Sequence, residues 1–292
     1  KRSAGKWERY LNKLIKELLS TYPDGEQLRS FIEQVLIHIE ANYNASSLSS
    51  YVLYERLIQL SPSFVQATLQ KAMDDPDSKT SQFAGTALSK YLNDDHDNAL
   101  NIASKFIEIE SNVLHVAIGR SYWSINADRF KSDKRHAKIL RKLLSSRDQW
   151  VVKSATGAVR RLAKDDQHLA IDLLKNVDLA LSKEVADDAL MLFYRDEEIP
   201  FALLTEKNID HFLNSLLPLP ELDGYWIETF LSNASKYHPM ITADFFMKRV
   251  EHAARCKDWG FRPCNHGPYM NVPLRFRESP EFNKLLQRIS QW

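Results

Sequence analysis

The sequence holds only two cysteines, Cys256 and Cys264, in 292 residues. Two thiols make no disulfide framework and suit a reducing compartment, so a cytoplasmic chain is expected. Glycine and proline are also scarce, at 8 and 11, which disfavours a β-rich fold that needs a turn about every ten residues. No segment alternates polar and apolar residues with period two, so no strands are expected. No apolar run approaches the roughly 18 residues of a membrane span. The first five residues lead straight into an amphipathic helix pattern, so no signal peptide is expected. A phosphate-binding Gly-x-x-x-x-Gly-Lys-Ser/Thr loop is missing, and so is the Gly-x-Ser-x-Gly nucleophile elbow. The chain opens on Lys1, not Met, which means processing or excision from a longer protein. Any NTPase activity would then belong to another part of that protein.

What is present is helical. Tyr10, Leu11, Leu14, Ile15 and Leu18 recur at three- and four-residue intervals, and Leu28, Phe31, Ile32, Val35 and Leu36 repeat the rhythm. Asp24, Ser61 (with Pro62 at the first helical position) and Thr205 read as N-caps. From Asp75 a longer period sets in, with helices expected near Asp77, Asn112, Asp148 and Ser182, about 35 residues apart. Small-residue steps recur with them: Ala84-x-x-Ala87, Ala117, Ala155-x-x-Ala158 and Ala186-x-x-Ala189. Alanine at successive turns lets neighbouring helices approach closely, and such a period in a helical chain signals stacked helix pairs. The fold class expected is all-α, a right-handed α-solenoid of helical hairpins. Degenerate repeats occupy 1–74 and the clearest ones 75–195. A divergent region follows at 196–292, where Pro218 and Pro220 mark a turn, 257–273 is an irregular loop, and Ser279-Pro280-Glu281 starts a capping helix.

Charge is unevenly spread. The stretch Arg129–Lys164 carries twelve Lys and Arg against Asp133 and Asp148, about +10 in a chain of net +1. Residues 165–228 carry fifteen acids against four Lys and Arg, about −11. The positive block reads as a hairpin with a cationic face for a macromolecular partner, either protein or DNA/RNA. Its candidate contacts are Arg120, Lys134, Arg135, Lys138, Arg141, Lys142, Lys153, Arg160, Arg161 and Lys164. Four phosphate contacts would imply a log–log salt slope of about −3.6. The competing reading is a face neutralised by acidic neighbours, with the dipole orienting adjoining domains.

Other constellations carry less. His252, Cys256, Cys264 and His266 offer two N and two S ligands, but their spacing matches no strong zinc signature, so no metal or cofactor is expected. The acid pairs Asp74-Asp75, Asp94-Asp95 and Asp165-Asp166 fall between helices, where capping is the cheaper explanation.

The lines RDQWVVKSATGAVRRLAKDD and SKEVADDALMLF resemble the second helices of HEAT repeats, clearly over 75–195. The C-terminal wording DGYWIETFLSNASKYHP, followed by FRPCNHGPYMNVPLRFRESPEFNKLLQRISQW, resembles the tail of large bacterial proteins with a STAND-type nucleotide-binding domain. That resemblance implies a non-enzymatic sensor or scaffold module joined to other domains of a longer chain, many such proteins serving antiviral defence. The segment around Trp150–Lys164 is also similar to HEAT-like DNA glycosylases, which implies the alternative of a DNA-binding protein or a glycosylase acting on alkylated bases. That resemblance would draft Trp123 with Asp128, Trp150 with Asp148, and Arg160 into base-excision chemistry, although a Trp at such positions is more often core.

Overall fold

The computed structural model describes residues 2–43, 48–125, 127–194, 198–256 and 260–263. It is all-α: fifteen α-helices and four short 3-10 turns, with no strand among the described residues. None of the described helices is long and apolar enough to cross a membrane. The chain divides into two compact units, 1–139 and 140–292.

The first unit contains α1 (Arg2–Thr21), α2 (Gly25–Tyr43), α3 (Leu48–Leu60), α4 (Pro62–Asp74), α5 (Ala84–Asp94), α6 (His96–Glu108), α7 (Asn112–Ser121) and α8 (Ala127–Ser132). The division falls inside α9 (Lys134–Leu144). The second unit contains α10 (Gln149–Ala163), α11 (Gln167–Leu174), α12 (Lys183–Leu190), α13 (Glu206–Leu216), α14 (Tyr225–Tyr237) and α15 (Pro239–Cys256).

Helix starts follow local chemistry. The Ser61 hydroxyl accepts from Phe64 N, that of Ser111 from Leu114 N, that of Ser182 from Val185 N and that of Thr205 from Asn208 N. Each satisfies one of the four backbone N–H groups that a helix start leaves open. The acid pairs divide their labour. Asp94 and Asp165 bridge back to Lys90 and Arg161 one turn earlier, while Asp95 and Asp166 cap α6 and α11. One start differs from the sequence reading: no helix begins at Asp77. Residues 75–80 form a turn closed by Ser81 Oγ donating to the Asp75 carbonyl at 2.9 Å, and α5 follows only after the 3-10 turn Ser81–Phe83.

Within each unit, helices pack on near neighbours and on the helix two along. In the first unit α2 packs on α4, α3 on α5 and α5 on α7; in the second, α10 packs on α12, α12 on α14 and α13 on α15. The alanines of the repeated steps line these contacts at zero to 3 % exposure. Gly85 lies close against α7, since a Cβ there would lie 2.8 Å from the Ala117 carbonyl oxygen. The core between is aliphatic and aromatic, with Phe64, Phe83, Phe106, Phe212 and Phe230 buried. Each such side chain contributes roughly 1.5–3 kcal/mol on leaving water.

The irregular loop and capping helix expected over 257–292 lie outside the described residues except for 260–263.

Candidate functional site

The ten candidate cations fall in two groups. Arg120 ends α7, and Lys134, Arg135 and Lys138 lie on the part of α9 within the first unit. Arg141, Lys142, Lys153, Arg160, Arg161 and Lys164 belong to the second.

Half of the ten are engaged by acids of the same chain. Arg135 bridges Asp97 at 2.8 Å and Asp133 at 2.6 Å. Arg141 meets Asp172 at 2.9 Å, Lys153 meets Asp188 at 3.1 Å, and Arg161 meets Asp165 at 2.9 Å. Arg160 Nε donates to Glu198 Oε1 at 2.8 Å, and the Glu198 side chain is only 5 % exposed. Several of these pairs span about one repeat: 38 positions for Arg135–Asp97, 31 for Arg141–Asp172 and 38 for Arg160–Glu198. The positive block and the acidic block after it are thus partly joined by rungs from α9 to α11, from α10 to α12 and from α10 to Glu198. An exposed rung is worth about 0–1 kcal/mol, but loss of Arg160 would leave Glu198 buried without its cation. Arg120, Lys134, Lys138 and Lys164 are exposed, with no carboxylate at ion-pair distance among the described residues.

A different surface emerges across α10, α12 and α14. Trp150, in the first turn of α10, is 63 % exposed. The Lys153 ammonium lies 5.5 Å from its ring centroid and bridges to Asp188 on α12. The preceding residue, Asp187, reaches on to α14, where its Oδ1 accepts from Trp226 N at 2.7 Å and Ile227 N at 3.1 Å. Asp187 therefore caps a helix whose own cap position, Gly224, has no side chain. A Cβ there would stand 2.5 Å from that carboxylate oxygen, so a larger residue would have to displace the Asp187 side chain. Burial raises the Asp187 pKa above the ordinary carboxylate value, opposed by the two backbone N–H groups. Around this cap three aromatic rings gather. Trp226 is 4.6 Å from both Tyr194 and Tyr225, which are 6.5 Å apart. Tyr194 is 47 % and Tyr225 55 % exposed. Lys183 Nζ meets Asp223 Oδ1 at 3.0 Å beside them.

The residues drafted for base excision are differently employed. Asp148 Oδ1 accepts from Trp150 N and Val151 N as the cap of α10. Trp123 and Trp150, expected in the core, are both half or more exposed. Of the four zinc candidates, Cys264 and His266 lie outside the described residues; His252 packs on Phe261 at 4.8 Å and Cys256 is exposed.

Two buried polar centres had no clear sequence signal. Arg249 is fully buried on α15 and donates to the carbonyls of Leu216, Leu217, Leu219, Arg262 and Pro263, with Phe261 against its guanidinium at 4.5 Å. In the first unit the Tyr122 hydroxyl and His136 Nδ1 are 2.8 Å apart, and His136 Nε2 lies 3.1 Å from His96 Nε2. Burial, followed by the neighbouring His96, lowers the His136 pKa to about 4. An open groove of about 690 Å³ also runs beside α4 and α6, lined by Gln66, Gln70, Lys71, Asn98, Ile102 and Lys105 among others. Lys71 there is engaged by Asp75 and Gln70 by Asp74.

No family model matches this chain, no curated protein matches it, and no solved structure matches it.

Proposed function

We propose that this chain is a recognition module without catalysis of its own, built of HEAT-like helix pairs and serving as the sensor or scaffold part of a larger protein. Its partner is a protein, docked on the strip formed by Trp150, Lys153, Asp187, Tyr194, Tyr225 and Trp226. The carrying observation is the exposure of Trp150 on α10, Tyr194 in the turn after α12 and Tyr225 on α14, three helices that pack in that order. Exposed Trp and Tyr beside an ion pair are the composition of interface hot spots. The partial neutralisation of the cationic block supports protein over nucleic acid. The engagement of Asp148 and Asp187 in helix caps supports binding over base excision. The resemblance of the C-terminal wording to STAND-type proteins supports the sensor role.

The test compares two variants of the full chain as bait in a lysate of the source organism. A protein held by the wild type should be kept by Lys138→Ala/Lys164→Ala and lost by Trp150→Ala/Tyr225→Ala. Filter binding of DNA and RNA is run in parallel at 50 and 200 mM salt. Micromolar nucleic-acid affinity falling roughly a hundredfold between the two, as four phosphate contacts require, would replace the protein reading with the nucleic-acid one. Release of a base from alkylated duplex would establish the glycosylase alternative instead.

A further inference from the structure

The aromatic end of the strip has the chemistry of a specific acceptor. Tyr194 and Tyr225 stand with centroids 6.5 Å apart and planes at 65°, and Trp226 lies 4.6 Å from each. A cation resting on both tyrosine faces would be within about 6 Å of each centroid, the range in which the ring quadrupole attracts it. The Asp187 carboxylate sits at the backbone of the same aromatic pair, bonded through Oδ1 to Trp226 N and Ile227 N. Its Oδ2 has no hydrogen-bond partner among the described residues.

The local charge has the matching sign. Asp188 and Asp223 are paired with Lys153 and Lys183. That leaves the Asp187 carboxylate as the negative charge beside the rings. An ammonium could meet the rings, but a planar guanidinium can also stack on an aromatic face while its fork reaches a carboxylate.

We propose that Tyr194, Tyr225, Trp226 and Asp187 form an acceptor for one arginine side chain of the protein partner. The guanidinium lies on the tyrosine faces and donates to Asp187 Oδ2. This rests on the reading of the strip as a protein-docking surface and names the residue type that surface selects.

The probe is N-acetyl-arginine methylamide, titrated into the full ¹⁵N-labelled chain while the Trp226 indole N–H is followed, assigned with Trp226→Phe. A single side chain stacked on exposed rings binds more weakly than about 1 mM. A saturable shift of Trp226 is expected with the arginine amide. The citrulline amide, which keeps the shape and lacks the charge, should produce none. The lysine amide should bind at least about threefold more weakly. Asp187→Asn keeps an oxygen for the α14 cap and removes the charge, so it should weaken arginine binding about tenfold with circular dichroism unchanged. Tyr225→Ala should act likewise.

No shift of Trp226, or an equal response to citrulline, overturns the proposal. So does undiminished binding by folded Asp187→Asn. Arg195 follows Tyr194 in the sequence and lies outside the described residues, so Arg195→Ala is titrated too. Binding seen only with that variant would mean the chain fills the acceptor itself, which also overturns the proposal. If the arginine amide fails while strip variants still lose the captured protein, the arginine assignment falls alone. If strip variants keep that protein, the docking surface falls with it.

Discussion

At the scale of single residues, the informative side chains are polar ones whose partners are far away in sequence. Asp187 supplies the cap that Gly224 cannot, 37 positions downstream. Asp187→Ala should therefore destabilise the chain by about 1 kcal/mol, up to about 2, and Asp187→Asn by much less. Urea midpoints of the two variants check this, and equal losses would remove the cap from the explanation. Arg249 draws together the end of α13, the 217–220 turn and residues 262–263. Arg249→Met strands several buried carbonyls and should cost at least about 3 kcal/mol. Arg249→Lys should recover only part, because an ammonium has three donors and no planar fork. A loss under about 1 kcal/mol for the Met variant would contradict this account. Neither role is visible locally: Asp187 reads as one more helix-surface acid, and Arg249 as one more surface cation.

At the scale of helices, much was legible because the governing interactions reach only three or four residues. The caps at Asp24, Ser61 and Thr205, the helix starts near Asp148 and Ser182, and the apolar stripes of α1 and α2 follow from spacing alone. The small residues of the 35-residue period also lie where close helix contacts occur. Gly85 turns this into a test of competing effects. Alanine is the better helix former by about 1 kcal/mol, so in isolation Gly85→Ala would stabilise α5. In the fold its Cβ would press on the Ala117 backbone, which cannot rotate away as a side chain would. Overpacking of this kind costs about 1–3 kcal/mol, so a net loss of stability is expected, read as a lowered thermal midpoint. A raised midpoint would show that α5 and α7 are not held as closely as described. The helix expected at Asp77 begins later because Asp75, Ser78 and Ser81 close a turn first.

At the scale of the whole molecule, the two units should respond differently to acid. His136 sits fully buried in the first, facing Tyr122, His96, Asp133 and Arg135, with Phe130 stacked on its ring. Its folded pKa of about 4 lies below the ordinary 6.5, so the unfolded chain takes up the proton first. The associated stability is complete above pH 6.5 and is lost as pH falls through 6.5 towards 4. The limiting slope is about 1.4 kcal/mol per pH unit for one proton. Hydrogen-exchange protection factors, each corrected for the intrinsic rate at its pH, should fall between pH 7.5 and 4.5 in residues 84–138 before 149–256. The double variant Tyr122→Phe/His136→Phe, which removes both polar partners together, should flatten the dependence. Simultaneous loss of protection in both units, or a slope unchanged in the double variant, would count against His136 as its source.

By itself the sequence determined the helical class, the near-35-residue rhythm, the caps, and the two blocks of opposite charge. Periodicity, capping and summed charge depend on residues within a turn or two of each other, or on no geometry at all. Tertiary structure alone decided which charges meet. Whether Lys153 faces solvent or Asp188, and whether Trp150 is core or surface, depends on how each helix is rotated against the helix two along. That rotation is set by packing of whole apolar faces, which no short window of sequence contains.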